Sequence, residues 1–482
     1  MEQPHPTTTS DRAASDHTGG GFAKVLGRWD VLAVAFGSMI GFGWIVLVGG
    51  FLEGAGTAGA VLAFLAGGFI VVLVGFTYAE LVAAMPRAGG EHNYALRGLG
   101  SRAAFVASWA IALGYISVVA FEAVALPQTV LYLAPDMLAG QLWTVAGYDV
   151  YLSWVLVGVA GAVVITGVNY VGIRPASLAQ MVAVVFLLAV AVLLLTGALV
   201  GGERANLEPW LAGGLAGFVG VLVATPFLFV GFDVIPQSAE EINLPPRQIG
   251  KLLVISVVMA TTFYVIVMVA VGSSLSRGEL AGAELAAADG MAALWDSATM
   301  GNVLILGGIA GILTSWNGFL IGASRLLYAM AESGMLPRWF AYLHPKYRTP
   351  SHAVLFIGAL SVLAPLFGRQ MLVWLVDAGG MNIVVAFFVV ALSFLALRRR
   401  EPDMPRPFRV SSGPVIGWAA AGLSLGMAVL FLPGMPAALI WPYEWIIVGA
   451  WWAAGAVFLL RLPAVGPGPE AEAELLRATG RR

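Results

Sequence analysis

Apolar runs of membrane-crossing length alternate with short polar connections along most of this chain. At 1.5 Å of rise per residue, about twenty apolar residues cross the hydrocarbon core as a helix. Such runs fall near 31–52, 58–84, 103–133, 151–169, 176–200, 212–240, 251–273, 301–330, 352–368, 371–397, 414–433 and 443–461. They predict an all-α integral membrane fold of about twelve transmembrane helices. Two runs carry helix-weakening residues at their centres. The first contains Gly37-Ser38-Met39-Ile40-Gly41-Phe42-Gly43, and the sixth contains Pro226 and Pro236 either side of Gly231. Glycine weakens a helix and proline removes a backbone donor. In lipid every N–H and C=O needs a partner, so a broken helix is tolerated only inside protein or beside a cavity. The two breaks therefore predict a binding site at mid-membrane depth.

Breaks in spans one and six are what a five-plus-five internal repeat produces, and such matched breaks point to a transporter site. The expected organisation is 29–200 for spans 1–5, 209–397 for spans 6–10 and 413–461 for spans 11 and 12. Polar tails at 1–28 and 462–482 flank them. The halves share no residue-level identity, so the repeat rests on hydropathy. Their peptide chemistry is concrete. The segment Gly41 to Trp44 opens the second half-helix of span one, where unpaired N–H groups and the positive dipole end suit a carboxylate. Carbonyls around Ser38, Met39 and Ile40, and around Phe227 to Val230, suit an ammonium group. A zwitterion fits both. The plain alternative is close helix packing through glycine.

Composition agrees: 59% of residues are hydrophobic, 11% are charged and the mean hydropathy is +0.88, outside the range of a soluble domain. The net charge of −2 conceals an asymmetry. On the side of the N-terminus the loops carry Arg87, Arg97, Arg102, Arg174, Arg247, Lys251, Arg338, Lys346, Arg348, Arg398, Arg399, Arg400, Arg406 and Arg409, against Arg204, Arg277 and Arg369 opposite, among acidic residues that include Glu284. The positive-inside rule then expects both termini in the cytoplasm and a multi-pass protein of the plasma (inner) membrane. The first 28 residues are polar and lack a cleavable apolar signal, so a disordered tail is expected there. The tail after Arg461 reads as short and amphipathic or frayed, with no assigned function. The absence of cysteine excludes a disulfide-linked subunit. No cofactor, metal or nucleic-acid partner is expected; the partners are the lipid bilayer and a small-molecule amino acid or amine.

Four stretches resemble the amino acid-polyamine-organocation transporter superfamily. They are Gly37 to Gly43; Tyr78-Ala79-Glu80-Leu81 with Pro86-Arg87-Ala88-Gly89-Gly90-Glu91-His92-Asn93-Tyr94; Gly231-Phe232-Asp233 through Glu240-Glu241-Ile242-Asn243-Leu244-Pro245; and Ser324-Arg325-Leu326-Leu327-Tyr328 through Gly334-Met335-Leu336-Pro337 to His344-Pro345-Lys346. The resemblance runs from Trp29 to Arg461. It implies twelve helices, spans one to five and six to ten as inverted repeats of the LeuT kind, and alternating-access transport of an amino acid or related amine. Two departures bear on substrate and coupling. Where family members that carry ordinary amino acids have a small polar residue, this chain has Phe42, and Trp44 follows Gly43. Many members carry a lysine in span five; here Ser177 to Val200 has no basic residue, which excludes a lysine-based mechanism.

The implied substrate site comprises Ser38, Met39, Ile40, Gly41, Phe42, Gly43, Phe229, Val230, Gly231, Phe232 and Asp233, with Glu122 and Trp316 added. Glu122 lies halfway along the third run, where a charge costs about 2.5–3.5 kcal/mol on insertion scales. It either meets a basic substrate group or a proton, or is a protonated acid bonded between helices. Asp233 either caps freed N–H groups or receives an ammonium. Glu240 and Glu241, beside Arg247 and Lys251, form either a salt-bridged gate or a solvated cluster. Thr314 and Ser315, with carbonyls near Gly37 and Ile40, would suit an alkali cation; otherwise the hydroxyls bond their own helix. Trp316, Phe42, Phe229 and Phe232 either close over a substrate or simply pack. Na+ and H+ stay open as coupling ions.

A membrane metalloenzyme is excluded because all five histidines lie in tails or loops. A channel would need a charged ring or carbonyl filter. The expected function is a secondary active transporter of a small amino acid. The alternatives are a carrier of a polyamine or other amine lacking a carboxylate, and a non-transporting substrate sensor.

Overall fold

In the computed structural model, residues 22, 24–283 and 285–481 are described. Most of the expected N-terminal tail, Glu284 and the side chains of residues 173–176, Arg174 included, lie outside them. The chain is helical almost throughout. In order the helices are α1 Arg28–Met39, α2 Gly43–Val46, α3 Val48–Ala84, α4 Glu91–Leu99, α5 Ser101–Leu133, α6 Leu152–Val171, α7 Ile173–Gly201, α8 Gly214–Phe229 and α9 Val234–Gln237. They continue as α10 Pro246–Gly272, α11 Arg277–Gly282, α12 Ala286–Leu294, α13 Ala298–Glu332, α14 Ser351–Leu363, α15 Met371–Arg400, α16 Gly413–Val429, α17 Tyr443–Arg461 and α18 Ala471–Ala478.

Ten helical segments among the described residues are long and apolar enough to span a membrane, and Ser351–Phe367 and Gly413–Val429 are shorter apolar helices. α3 contains a turn at Gly56, where φ is +72°. That left-handed conformation favours glycine, and it separates the end of the first span from the second near the expected boundary. Sequence reasoning passed over three features of the connections: α4, the pair α11 and α12, and an antiparallel hairpin of β1 Gln141–Val145 and β2 Tyr148–Tyr151.

The long helices α5 and α13 form the buried heart; 94% of the most apolar stretch of α5 is inside the protein, against 28% for α7. Helix α13 packs on α1, α5 and α7, while α3 packs on α8 and α10. Both described ends of the chain meet at one face, which we call the terminal face. There the N–H groups of Val25 and Leu26 donate to Glu241 O at 2.9 Å, and Arg481 donates to the carbonyls of Ala331 and Leu336.

Candidate functional site

Both expected breaks are present. Helix α1 ends at Met39, Ile40 to Phe42 are non-helical, and α2 begins at Gly43. The Ser38 hydroxyl donates back to Val34 O at 2.5 Å, taking up a carbonyl in the last turn of α1. Helix α8 ends at Phe229, Val230 is extended, and Gly231 adopts φ +130°. The Asp233 carboxylate accepts the Gly231 N–H at 2.8 Å, closing a tight turn across the break. A Cβ on Gly231 would lie 2.8 Å from Ser38 Cβ and 2.9 Å from Met39 N. The breaks thus touch where a residue without a side chain lets them.

Tyr264 from α10 joins the two carbonyl ends: its hydroxyl lies 2.8 Å from Met39 O and 3.3 Å from Leu228 O. From the opposite side, Glu122 on α5 reaches the Phe42 N–H and the Ser315 hydroxyl. It is 1% exposed, and its Oε2 has no partner. A Cβ on Gly41 would fall on Glu122 Oε1. The carboxyl group therefore sits at a backbone donor of the segment expected to receive a substrate carboxylate.

Between these elements lies a narrow cavity of only about 10 Å³, nearly closed by its own walls. Ser38, Met39, Gly41, Gly43, Glu122 and Ser315 line it, joined by Val118, Phe121, Phe227, Leu228, Tyr264 and Phe319. The other expected substrate residues are buried close by without lining it. Ile40 O faces Gly311. Phe229 stacks edge-on against Phe64 and Tyr264, and Phe232 packs on Tyr78 and Phe387. Trp316 meets Gly161 of α6 instead of the cavity. Tyr264 was missed because a tyrosine beside Phe263 in an apolar run reads as packing; its hydroxyl in the middle of that run was the available signal.

The residues considered for ion coupling form a hydrogen-bonded set. The Thr314 hydroxyl lies 3.0 Å from Gly37 O and 2.9 Å from Gly311 O. The Gln180 amide of α7 donates to Thr314 O at 3.0 Å and Ala33 O at 3.3 Å, and Asn317 donates to Gln180 Oε1 at 2.8 Å. Ser315 turns instead to Glu122.

At the terminal face, Glu241 pairs with Arg325 at 3.1 Å, both almost fully buried. The ion-pair partner of Glu241 is thus Arg325 and not Arg247 or Lys251. Burial pushes the Glu241 carboxyl up against the opposing influence of Arg325. Glu240 accepts the Ala88 N–H at 3.2 Å.

Two broken spans that meet at a small cavity inside a bundle of apolar helices are the arrangement expected of a membrane transporter. A family model described as "Amino acid permease" matches residues 26–455, and the chain belongs to that family, within the amino acid-polyamine-organocation superfamily. It is 26% identical to the branched-chain amino acid permease BcaP of Bacillus subtilis (strain 168), over 85% of this chain and 86% of that protein. From the same organism, the methylthioribose transporter is 26% identical over 90% of this chain and 92% of its own length. The aspartate-proton symporter is 26% identical over 83% and 77%.

Proposed function

We propose that this chain is a secondary active transporter that carries an apolar α-amino acid across the plasma membrane by alternating access, its terminal face in the cytoplasm. The observation that carries the proposal is the meeting of the two breaks at one cavity. Backbone N–H groups of the first break would receive the substrate carboxylate. Carbonyls at the ends of α1 and α8, together with the Glu122 carboxyl, would receive the ammonium group. Met39, Val118, Phe121, Phe227, Leu228 and Phe319 would surround an apolar side chain. The family supports transport, and the branched-chain permease among the relatives supports an apolar amino acid. Spans 1–5 and 6–10 are read as inverted repeats that rock around the fixed site.

The contact of Glu122 with Phe42 N–H favours a second reading, in which the substrate is an amine without a carboxylate and Glu122 is its counter-ion. Uptake into proteoliposomes of L-leucine, L-aspartate, L-lysine, methylthioribose and putrescine, each with a sodium gradient, a proton gradient or neither, separates them. Uptake of L-leucine, abolished by Gly43→Leu, is the expected result: a Cβ at Gly43 already meets Leu228 across the cavity. Uptake of putrescine alone would overturn the first reading in favour of the second.

A further inference from the structure

Between the second break and the terminal face lies a buried acidic pair. Glu91 begins α4, and Asp233 stands in the break; each is 0% exposed. Neither joins an ion pair among the described residues. The groups facing them are Tyr78 from α3, Tyr94 from α4, Tyr115 from α5 and Gln237 from α9. Arg325, the buried base at this face, is engaged by Glu241 and Ser324. His92 is neutral, its pKa lowered by burial to about 4.

Only one oxygen of each carboxyl is satisfied. The Gln237 amide donates to Glu91 Oε2, and Gly231 N–H to Asp233 Oδ1. The Tyr78 hydroxyl lies against Glu91, and that of Tyr115 against Asp233 and Gln237; none of these contacts has full hydrogen-bond geometry, and Glu91 Oε1, Asp233 Oδ2, Gln237 Oε1 and the hydroxyls of Tyr78, Tyr94 and Tyr115 are buried without such a bond. Two carboxylates enclosed together with no cation cannot both remain ionised cheaply: desolvation and mutual repulsion each favour a neutral acid.

We propose that Glu91 and Asp233 form a proton-carrying site on the terminal side of the second break, occupied while the pair is buried and emptied when that side opens to water. Its proton leaves by cleavage of a carboxylic O–H bond to water, which leaves a carboxylate behind. Asp233, in the break, is the station nearer the substrate site; Glu91, on the connecting helix α4 and equally buried, is the station that opening of the terminal side would expose. Burial first, and then the Asp233 charge, hold the Glu91 carboxyl well above its usual range. The sign follows. The closed state is favoured in full below the ordinary carboxylate range and loses that advantage as pH rises through the raised value. This proposal rests on alternating access with the terminal face cytoplasmic, and it makes the transporter a proton symporter.

Two measurements test it. Infrared spectra at neutral pH should show carboxylic acid C=O intensity in the wild type that the E91Q/D233N double variant lacks. Equal intensity in both proteins would mean that the pair is ionised, and would overturn the proposal whether or not the transport reading stands. In proteoliposomes with L-leucine as probe, an inward gradient of one pH unit drives at most about tenfold accumulation by a one-proton symporter. Glu91→Gln is neutral, nearly isosteric with the protonated acid and able to keep the Gln237 contact. It should retain leucine exchange while accumulation falls to about onefold. Accumulation equal to wild type would overturn the proposal; absence of leucine transport by the wild type would instead count against the transport reading, with the spectra still deciding the proton site.

Discussion

A single hydroxyl, that of Tyr264, reaches the carbonyl ends of both broken spans. Tyr264→Phe would leave Met39 O and Leu228 O without that donor while the ring contacts with Phe64 and Phe229 survive. An unsatisfied buried acceptor costs about 1–3 kcal/mol. The variant should therefore melt at lower temperature than wild type by differential scanning fluorimetry; an unchanged melt would mean that the hydroxyl ties nothing. At this scale the sequence was uneven as a guide. Glu122 was legible because one charge in an apolar run is costly and therefore conspicuous. Gln180, Asn317 and Asn169, which bond to one another across α6, α7 and α13, carried no such signal: a neutral amide is cheaper to bury, and its partners lie 137 and 148 residues away in sequence.

At the scale of the element, the breaks were readable from glycine and proline, and their mutual contact was not. Gly231 shows why. Its φ of +130° is a local matter that composition suggests, whereas its approach to Ser38 and Met39 depends on how two distant helices dock. Gly231→Ala would meet both problems at once: backbone strain of about 1–3 kcal/mol and a Cβ in a space without room. It should abolish uptake and substrate-induced thermal stabilisation while the protein still inserts; near-normal uptake would show that the breaks move apart freely. Ten of the expected runs coincide with long apolar helices, most of them to within about five residues, because each is an apolar run; the first and second spans meet about six to ten residues earlier than expected. Helices α4 and α12 were missed because they are only nine residues long and need no apolar run. Hairpin β1–β2 lies in a connection, where hydropathy is silent.

Across the whole molecule, residues 463–481 run as a strap over the terminal face. Ser101 exchanges hydrogen bonds with Pro463 and Val465; Glu472 pairs with Arg87 at 2.5 Å; Arg481 caps the carbonyls of Ala331 and Leu336 near the end of α13. Leu475 is 0% exposed, and burial of one such side chain stabilises by about 1.5–3 kcal/mol, whereas the half-exposed Arg87 pair adds little. Deletion of residues 463–482 should lower the melting temperature, and Glu472→Ala alone should leave it nearly unchanged. A deletion variant as stable as wild type would mean that the strap lies loosely on the surface. The sequence reads this tail as either amphipathic or frayed, with no sign of its seat, because the groove that receives it is built from the ends of α3, α4 and α13.

That seat has a practical consequence for anyone attaching a reporter. Because the Arg481 guanidinium is held against backbone carbonyls, a fluorescent protein or purification handle joined directly behind it would tug on the end of α13 and compete with the strap for its groove. A fusion at this end needs a flexible spacer, and a purification handle engaged by a resin would select molecules whose strap has already let go.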